Sequence, residues 1–401
     1  MADWIARFAQ PEHIWFAKRL SANDTGQTKG HQAGPYVPKD LLFSVLPTLR
    51  DEAVENPRIV LEARTDSHGD IRPVTAIWYN GRLFGKTRNE ARVTGWGGHR
   101  SPLLDPRATG ALAIFVFADG AVGAATALHI WLADGANNAD DLLEDLIGPV
   151  EPGTHVIWQP GTPARIVGRA RVASCQLAAS QLPSAWLDAF PSASEIVRKS
   201  VDLRPLGRET ADVRLLRRRD CEFEIFKAVE QALVGPRVSQ GFNGLDDFLA
   251  LAQTVLQRRK SRSGRSLELH AREIFIEEGL EEGVDFSHGG QTEGGKKPDF
   301  LFPASAAYHD PSWPADRLRM LGAKTTARDR WRQILNEADR IPVKHLLTLQ
   351  EGVSVPQFAE MTAAGVKLVV PEPLLKAYPA AVRPELVSLR SFVAEVRGLR
   401  R

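Results

Sequence analysis

Short apolar runs separated by glycine, proline and polar residues fill the first part of the chain, to about residue 172. "IVLEA", "VTAIWYN", "ALAIFVF" and "ALHIWLA" have the length and bounding residues of strands, which predicts a mostly β domain with a few helices. "GALAIFVFADGAVGAATALHIWL" (110–132) is long enough to cross a bilayer. Asp119-Gly120 in its middle is a hairpin signal, so two buried strands joined by a tight turn are expected instead. "RVASCQLAASQLPSAW" (171–186) then brings small and polar residues and a proline, and a linker is placed over 173–186.

Beyond the linker the period changes. "CEFEIFKAVEQALV" (221–234), "LDDFLALAQTVLQRRK" (245–260) and "SLELHAREIFIEEGL" (266–280) carry apolar residues at helical spacing. "DFLF", "LRMLGAK", "HLLTL" and "VKLVVP" read as buried strands, with a helix between the second and third. Helices covering a sheet of buried strands make residues 187–401 an α/β domain. A chain of 401 residues fits this division into domains 1–172 and 187–401. No internal repeat or low-complexity tract interrupts it.

Composition narrows the picture only slightly. Fifty-one basic residues against 49 acidic ones give a net charge of +2, so any nucleic-acid footprint must be local. Cys175 and Cys221 form neither a metal spacing nor a disulfide framework, which fits a reducing cytoplasm. "MADWIARFAQ" has no basic flank leading into an apolar core, and no signal peptide is expected.

The candidate chemistry lies in "KPDFLFP" (297–303) and "LGAKTT" (321–326). Pro-Asp at a strand start followed by a strand ending in lysine is the pattern of a metal-dependent phosphodiesterase. A second acid normally stands two residues before that lysine, and here the position is Gly322. "TTARDRWRQILNEADRI" (325–341) offers a replacement. Thr326 can cap a helix with Asp329 as partner, and Trp331, Ile334, Leu335, Ala338 and Ile341 then share an apolar face. Such a helix would aim Glu337 at the space between Asp299 and Lys324. Asp299 and Glu337 would hold Mg²⁺, which prefers oxygen ligands and keeps several waters. Lys324 would orient the attacking water, and Glu268 on "SLELH" is a further acid for the site. Each residue also has an ordinary reading: Asp after Pro as a turn residue, a solvated strand-end lysine, Glu337 pairing on a helix surface with Arg340 or Lys344.

Basic stretches supply candidate DNA contacts. "QRRKSRSGRSLE" (257–268), with Arg258, Arg259, Lys260, Arg262 and Arg265, reads as a loop between two helices that could lie against phosphates, or as a solvated charge run. Arg328, Asp329 and Arg330 suit adjacent G·C pairs, because Arg donates twice to guanine and Asp accepts from the cytosine amino group. A capped, salt-bridged helix start is the alternative. In the first domain, Lys86, Arg88, Glu90 and Arg92 in "FGKTRNEARVTGWGG", and His31 and Tyr36 in "SANDTGQTKGHQAGPY", suggest a second DNA-binding surface. A lone histidine such as His31 is by default structural.

"KRLSANDTG", "FGKTRNEARVTGWG", "SPLLDP", "RRKSRSGRSLELH", "KKPDFLFPASAAYHD" and "LRMLGAKTTARDRWRQILNEADRI" together resemble the EcoRII-like type IIE restriction endonucleases, and the likeness runs to "VSLRSFVAEV" near the end. The resemblance implies an N-terminal effector domain with a B3-like DNA-binding pseudobarrel. It implies a C-terminal domain of the Pro-Asp…(acid)-X-Lys nuclease superfamily, with a mixed central sheet flanked by helices, that forms a homodimer. It further implies Mg²⁺-dependent cutting of 5′-CCWGG before the first C, relief of autoinhibition by a second DNA site, and a companion cytosine methyltransferase. Asp299, Lys324 and Glu337 match the catalytic set, with Tyr308 and Glu268 as accessory positions. Arg328, Asp329 and Arg330 match positions that read the C and G pairs, and the central pair is flipped out in relatives. His31, Tyr36, Lys86, Arg88, Glu90 and Arg92 match the effector stretch. Three departures stand out: Arg328 where the family has lysine, Ala91 in place of a basic residue, and Gly322-Ala323 in place of a bulkier pair. A DNA-binding regulator that has lost cleavage is the competing reading. A phosphohydrolase of small substrates is disfavoured, since no His-Asp cluster for two metals is visible.

Overall fold

Strand β5 (Leu112–Ala118) shows why the long apolar run folds as sheet. Its alternate residues serve two cores. Ala113, Phe115 and Phe117 pack with Phe16, Trp78 and Trp96, whereas Leu112, Ile114, Val116 and Ala118 pack with Trp4, Trp15 and Leu143. A strand buried on both faces is continuously apolar, which is what resembles a membrane span. Among the described residues no helix is long and apolar enough to cross a membrane. The computed structural model describes residues 1–28, 34–118, 125–133, 139–160, 165–168, 175–328 and 330–400.

The first compact unit comprises 1–169 together with 350–358 and 376–384. Besides β5 it contains β1 (Ile14–Arg19), β2 (Arg58–Thr65), β3 (Asp70–Tyr79), β4 (Glu90–Thr94), β6 (Ala127–Leu132), β7 (Thr154–Trp158) and β8 (Arg165–Gly168). Their order is β4-β3-β2-β6-β5-β1-β7-β8. All neighbours are antiparallel except β2 and β6. Helices α1 (Ala2–Phe8) and α3 (Ala139–Ile147) contribute to the core on one face, and α2 (Lys39–Val45) to the core on the other. The sheet, its strands and its two cores agree with the expected mostly β domain. Ala118 pairs with Ala127 across β5 and β6, and the turn expected at Asp119-Gly120 falls between them. Asp119 and Gly120 themselves lie outside the described residues.

The second unit comprises 170–349, 359–375 and 385–401. Helices α4 (Ser184–Asp188), α5 (Ala193–Leu203), α6 (Ala211–Gln240) and α7 (Leu245–Glu277) precede a sheet of β9 (Ser287–His288), β10 (Phe300–Phe302), β11 (Arg319–Ala323), β12 (Lys344–Leu347) and β13 (Val366–Val369). The remaining helices are α8 (Ser305–His309) and α10 (Leu389–Arg397), while α9 (Val355–Ala363) is divided between the two units at residues 358 and 359. The order is β13-β12-β11-β10-β9, with β11, β12 and β13 parallel and the other pairs antiparallel. This is the mixed sheet that the resemblance implied. Phe275 of α7 meets Phe300 and Phe302 edge-on, and Phe392 of α10 meets Phe302, so helices cover the strand that leads out of Asp299.

Two further expectations are corrected here. The segment 257–268 is not a loop but the middle of α7. Arg259 and Arg262 bond Glu230 and Glu222 of α6, Ser266 joins Glu222, and Leu267, Ala271 and Ile274 extend the buried stripe. These contacts override the weak helix preference of Ser and Gly. Cys175 and Cys221 are joined in a disulfide 46 residues apart in sequence, within an apolar cluster with Leu182, Trp186 and Phe226. The expected linker therefore carries a covalent attachment to α6, which no spacing rule could have revealed.

Candidate active site

The antiparallel pairing of β10 and β11 sets Phe300 opposite Leu321, which brings the residue before β10 to the end of β11. Asp299 Oδ2 accepts the Ala323 N–H at 2.7 Å and the Lys324 ammonium at 3.1 Å. Both ends of that contact are pinned by backbone. The Lys324 N–H donates to Leu347 O of β12 (2.9 Å), and the Gly289 N–H donates to Asp299 O (2.9 Å). The lysine therefore points at the aspartate because the sheet register puts it there.

Gly322 lies on the same face of β11 as Lys324. A Cβ at Gly322 would stand 2.8 Å from Ile334 Cγ2, so the place of a strand-borne acid is filled by the segment after the strand. That segment is not the expected helix. It forms a 3-10 turn over Arg330–Ile334, continues with the Glu337 N–H on Ile334 O (3.1 Å), and then reverses at Ala338 with φ of 52°. A left-handed residue cannot continue a right-handed helix. Trp331, Ile334, Ala338 and Ile341 are nevertheless buried and Leu335 partly so, so the apolar pattern is kept without the helix.

Glu337 lies within electrostatic reach of the other two groups. Burial and then the Asp299 charge push its carboxyl up to about 7, while Lys324, Lys344 and Lys296 pull the other way. The three side chains thus share one electrostatic neighbourhood. No hydrogen bond reaches the Glu337 carboxylate, or the second oxygen of Asp299, from the described residues. Two adjacent carboxylates with free oxygens repel each other, and a divalent cation relieves that repulsion. Among the described residues no group of three His, Cys, Asp or Glu could hold a metal. Two carboxylates leave room for water and phosphate oxygens, which fits a magnesium-type ion better than zinc.

The accessory positions have other partners. The Tyr308 hydroxyl donates to Glu293 (2.5 and 2.6 Å) and accepts the Arg340 N–H (3.3 Å), and burial followed by the Glu293 bond raises its pKa, so it remains protonated. It abuts the turn after Glu337. Glu268 Oε1 bonds His288 Nε2 at 2.5 Å, and His288 stacks on Phe300 next to the Asp299 backbone. Lys344, expected as a partner of the Glu337 carboxylate, bonds its carbonyl instead (2.5 Å). Glu293 was not singled out by the sequence. A lysine opening an otherwise buried strand is the one sign that Lys344 has a special place.

Of the basic residues, Arg328 is partly exposed, Arg330 is exposed and Asp329 lies outside the described residues. Arg258 sits over the Phe190 ring (4.7 Å), and Arg259 and Arg262 are in ion pairs, whereas Lys260 and Arg265 are exposed on α7. Near β11, the Thr325 hydroxyl reaches Ser263 O of α7 at 3.4 Å. In the first unit Glu90 joins Arg88 (2.5 Å) and Arg92 (3.0 Å), Arg88 stacks on Tyr79 (3.7 Å), and Lys86 pairs with Glu55. Lys86 and Arg88 lie before β4, and Glu90 and Arg92 within it. Tyr36 is half exposed, with Lys18 at 5.9 Å from its ring, and its N–H is held by Asp24. His31 lies outside the described residues.

Two family models match the chain: "Restriction endonuclease EcoRII, N-terminal" over residues 9–162 and "EcoRII C terminal" over residues 226–393. The chain is 43% identical over 402 residues to the type II restriction enzyme EcoRII of Escherichia coli, covering 99% of this chain and 97% of that protein. Among solved structures, metal-depleted Ecl18kI in complex with uncleaved DNA is 18% identical with a TM-score of 0.43, over 53% of this chain and 80% of that one. The B3 domain of the UbaLAI restriction endonuclease with cognate DNA is 18% identical with a TM-score of 0.27, over 41% of this chain and 98% of that one.

Proposed function

The chain belongs to the EcoRII family of type II restriction endonucleases and is a site-specific DNA-cleaving enzyme, and we propose that it cuts 5′-CCWGG before the first C with Mg²⁺. The observation that carries the assignment of the site is the meeting of Asp299 and Lys324, with Glu337 in the same field, inside the domain matched by the C-terminal family model.

Asp299 and Glu337 would hold the ion. When bound, it would polarise the phosphodiester and acidify a water. Lys324, fixed by its contact with Asp299, orients the attacking water and offsets the charge that develops on phosphorus. Water oxygen bonds to phosphorus, the bond to the 3′ oxygen breaks, and the ends are a 5′-phosphate and a 3′-hydroxyl. Glu268 and Tyr308 support the site from its edges.

Arg328, Asp329 and Arg330 follow Lys324 closely enough in the chain for base reading to be tied to cleavage. Arg258, Arg259, Lys260 and Arg262 were the expected DNA contacts on α7; with Arg259 and Arg262 bonded to acids, the exposed Arg265 is a side chain on that helix suited to phosphates. His31, Tyr36, Lys86, Arg88, Glu90 and Arg92 bind a second copy of the site in the first domain, and that binding activates cleavage. The enzyme works as a homodimer in the cytoplasm, beside a cytosine methyltransferase that protects host sites.

Digestion of a plasmid with several CCWGG sites, with ends mapped, tests this reading against a single-site plasmid. Cutting before the first C in Mg²⁺, faster on the multi-site substrate, is expected. Binding to CCWGG with no breakage in Mg²⁺ or Mn²⁺ would make the protein a regulator instead.

A further inference from the structure

Glu337 stands on a turn, and a turn lacks the repeating hydrogen bonds by which a helix holds its side chains. Besides two backbone bonds, Glu337 N–H to Ile334 O and Ile341 N–H to Ala338 O, the polar backbone groups of 337–340 are bonded by side chains from elsewhere. Lys344 Nζ donates to the carbonyls of Glu337 (2.5 Å) and Ala338 (2.6 Å). Glu293 Oε2 accepts the Asp339 N–H (3.3 Å), and the Tyr308 hydroxyl, itself donating to Glu293, accepts the Arg340 N–H (3.3 Å). Lys344 is only 5% exposed, and its own N–H is fixed on Gly365 O (2.9 Å). It opens β12, the strand hydrogen-bonded to β11, which Lys324 directly follows.

An ammonium has three donors, and two of these are spent on consecutive carbonyls either side of a strained residue. Ala338 at positive φ persists only where its surroundings impose it. The buried lysine supplies that constraint from inside the sheet, and Glu293 supplies it from the surface loop before β10.

We propose that Lys344 and Glu293 are positioning residues for Glu337, which lock the turn so that its carboxylate faces Asp299. Neither touches DNA or the ion. This rests on the reading of Asp299 and Glu337 as the cation ligands. A displacement of about 1 Å at such a ligand lowers the rate about 100-fold.

The test uses the full-length protein with Lys344→Met, Lys344→Arg and Glu293→Ala. Mn²⁺ binding to each protein–DNA complex is measured by electron paramagnetic resonance. CCWGG affinity is measured in Ca²⁺ by fluorescence anisotropy, and single-turnover cleavage in Mg²⁺. Lys344→Met should bind DNA within about two-fold of wild type, bind Mn²⁺ at least about ten-fold more weakly and cut about 100-fold more slowly. Lys344→Arg should recover most of the Mn²⁺ affinity, because it restores donors at the same place, and Glu293→Ala should weaken Mn²⁺ binding in the same direction. Wild-type Mn²⁺ affinity and rate in folded Lys344→Met would overturn the proposal. If that variant does not fold, Glu293→Ala decides, since its side chain is exposed and its removal leaves the core intact. Wild-type Mn²⁺ affinity there would equally overturn it. Failure of the wild-type enzyme to cut DNA overturns the functional reading itself, an outcome distinct from a cutting enzyme whose Lys344→Met variant cuts as well.

Discussion

Ile334 occupies the space into which a side chain at Gly322 would project, its Cγ2 only 2.8 Å from where a Cβ would stand. The missing acid of the strand and the acid that we propose Glu337 supplies are therefore two sides of one packing decision. The turn that closes over Gly322 is the turn that carries Glu337. Gly322→Asp should lower stability by about 1–3 kcal/mol through overpacking. It should also fail to restore cutting to Glu337→Ala, because the new carboxylate displaces Ile334. Denaturant unfolding and plasmid cleavage check both points, and a fully active double variant would refute the packing argument.

Lys324→Ala should cut at least about 100-fold more slowly than wild type while binding CCWGG in Ca²⁺ within a few-fold. Asp299→Asn should behave likewise, since its Oδ2 loses the charge that holds the ammonium. Single-turnover cleavage separates these effects from binding. A wild-type rate in Lys324→Ala would remove the lysine from the reaction.

The metal-free protein should show a pH dependence traceable to Glu337. Its carboxyl is raised from 4.5 to about 7 by burial first and by Asp299 next. A raised acid keeps its proton longer in the folded state, so its contribution is fully present below pH 4.5 and lost as pH rises through about 7. Melting temperatures measured across that interval should fall more for wild type than for Glu337→Gln. Parallel curves for the two proteins would place the carboxyl in solvent.

Two arginines three residues apart on α7 should have opposite roles. Arg262→Ala leaves Glu222 buried without its charge partner and should destabilise the fold by about 3–5 kcal/mol. Arg265→Ala, on the exposed side, should leave stability within about 0.5 kcal/mol of wild type. It should instead reduce the slope of log affinity against log salt by about one. An unchanged salt slope would take Arg265 out of the DNA interface.

Much of the fold was legible. The strands at "IVLEA", "VTAIWYN", "ALAIFVF" and "ALHIWLA" stand where the apolar runs stand, as do "DFLF", "LRMLGAK", "HLLTL" and "VKLVVP" in the second unit. Burial of alternate residues is a local property of a strand, so the pattern survives in the sequence. Segment 257–268 was not legible as helix, because its Ser and Gly are outweighed by bonds to Glu222 and Glu230 on a different helix. The Cys175–Cys221 bridge was equally invisible, as two cysteines 46 residues apart carry no pairing signal.

By itself the sequence determined where apolar surface must be buried, and it set Asp299 and Lys324 at the ends of two strands whose pairing brings them together. Tertiary structure alone decided how the carboxylate proposed as the second ligand is placed. Glu337 sits on a turn whose shape depends on Lys344, Glu293 and Tyr308, and on Ile334 filling the place of a side chain at Gly322. Hydrogen bonds between distant residues leave no period in the chain, so spacing could put an acid after Lys324 but could not distinguish a helix from a clasped turn.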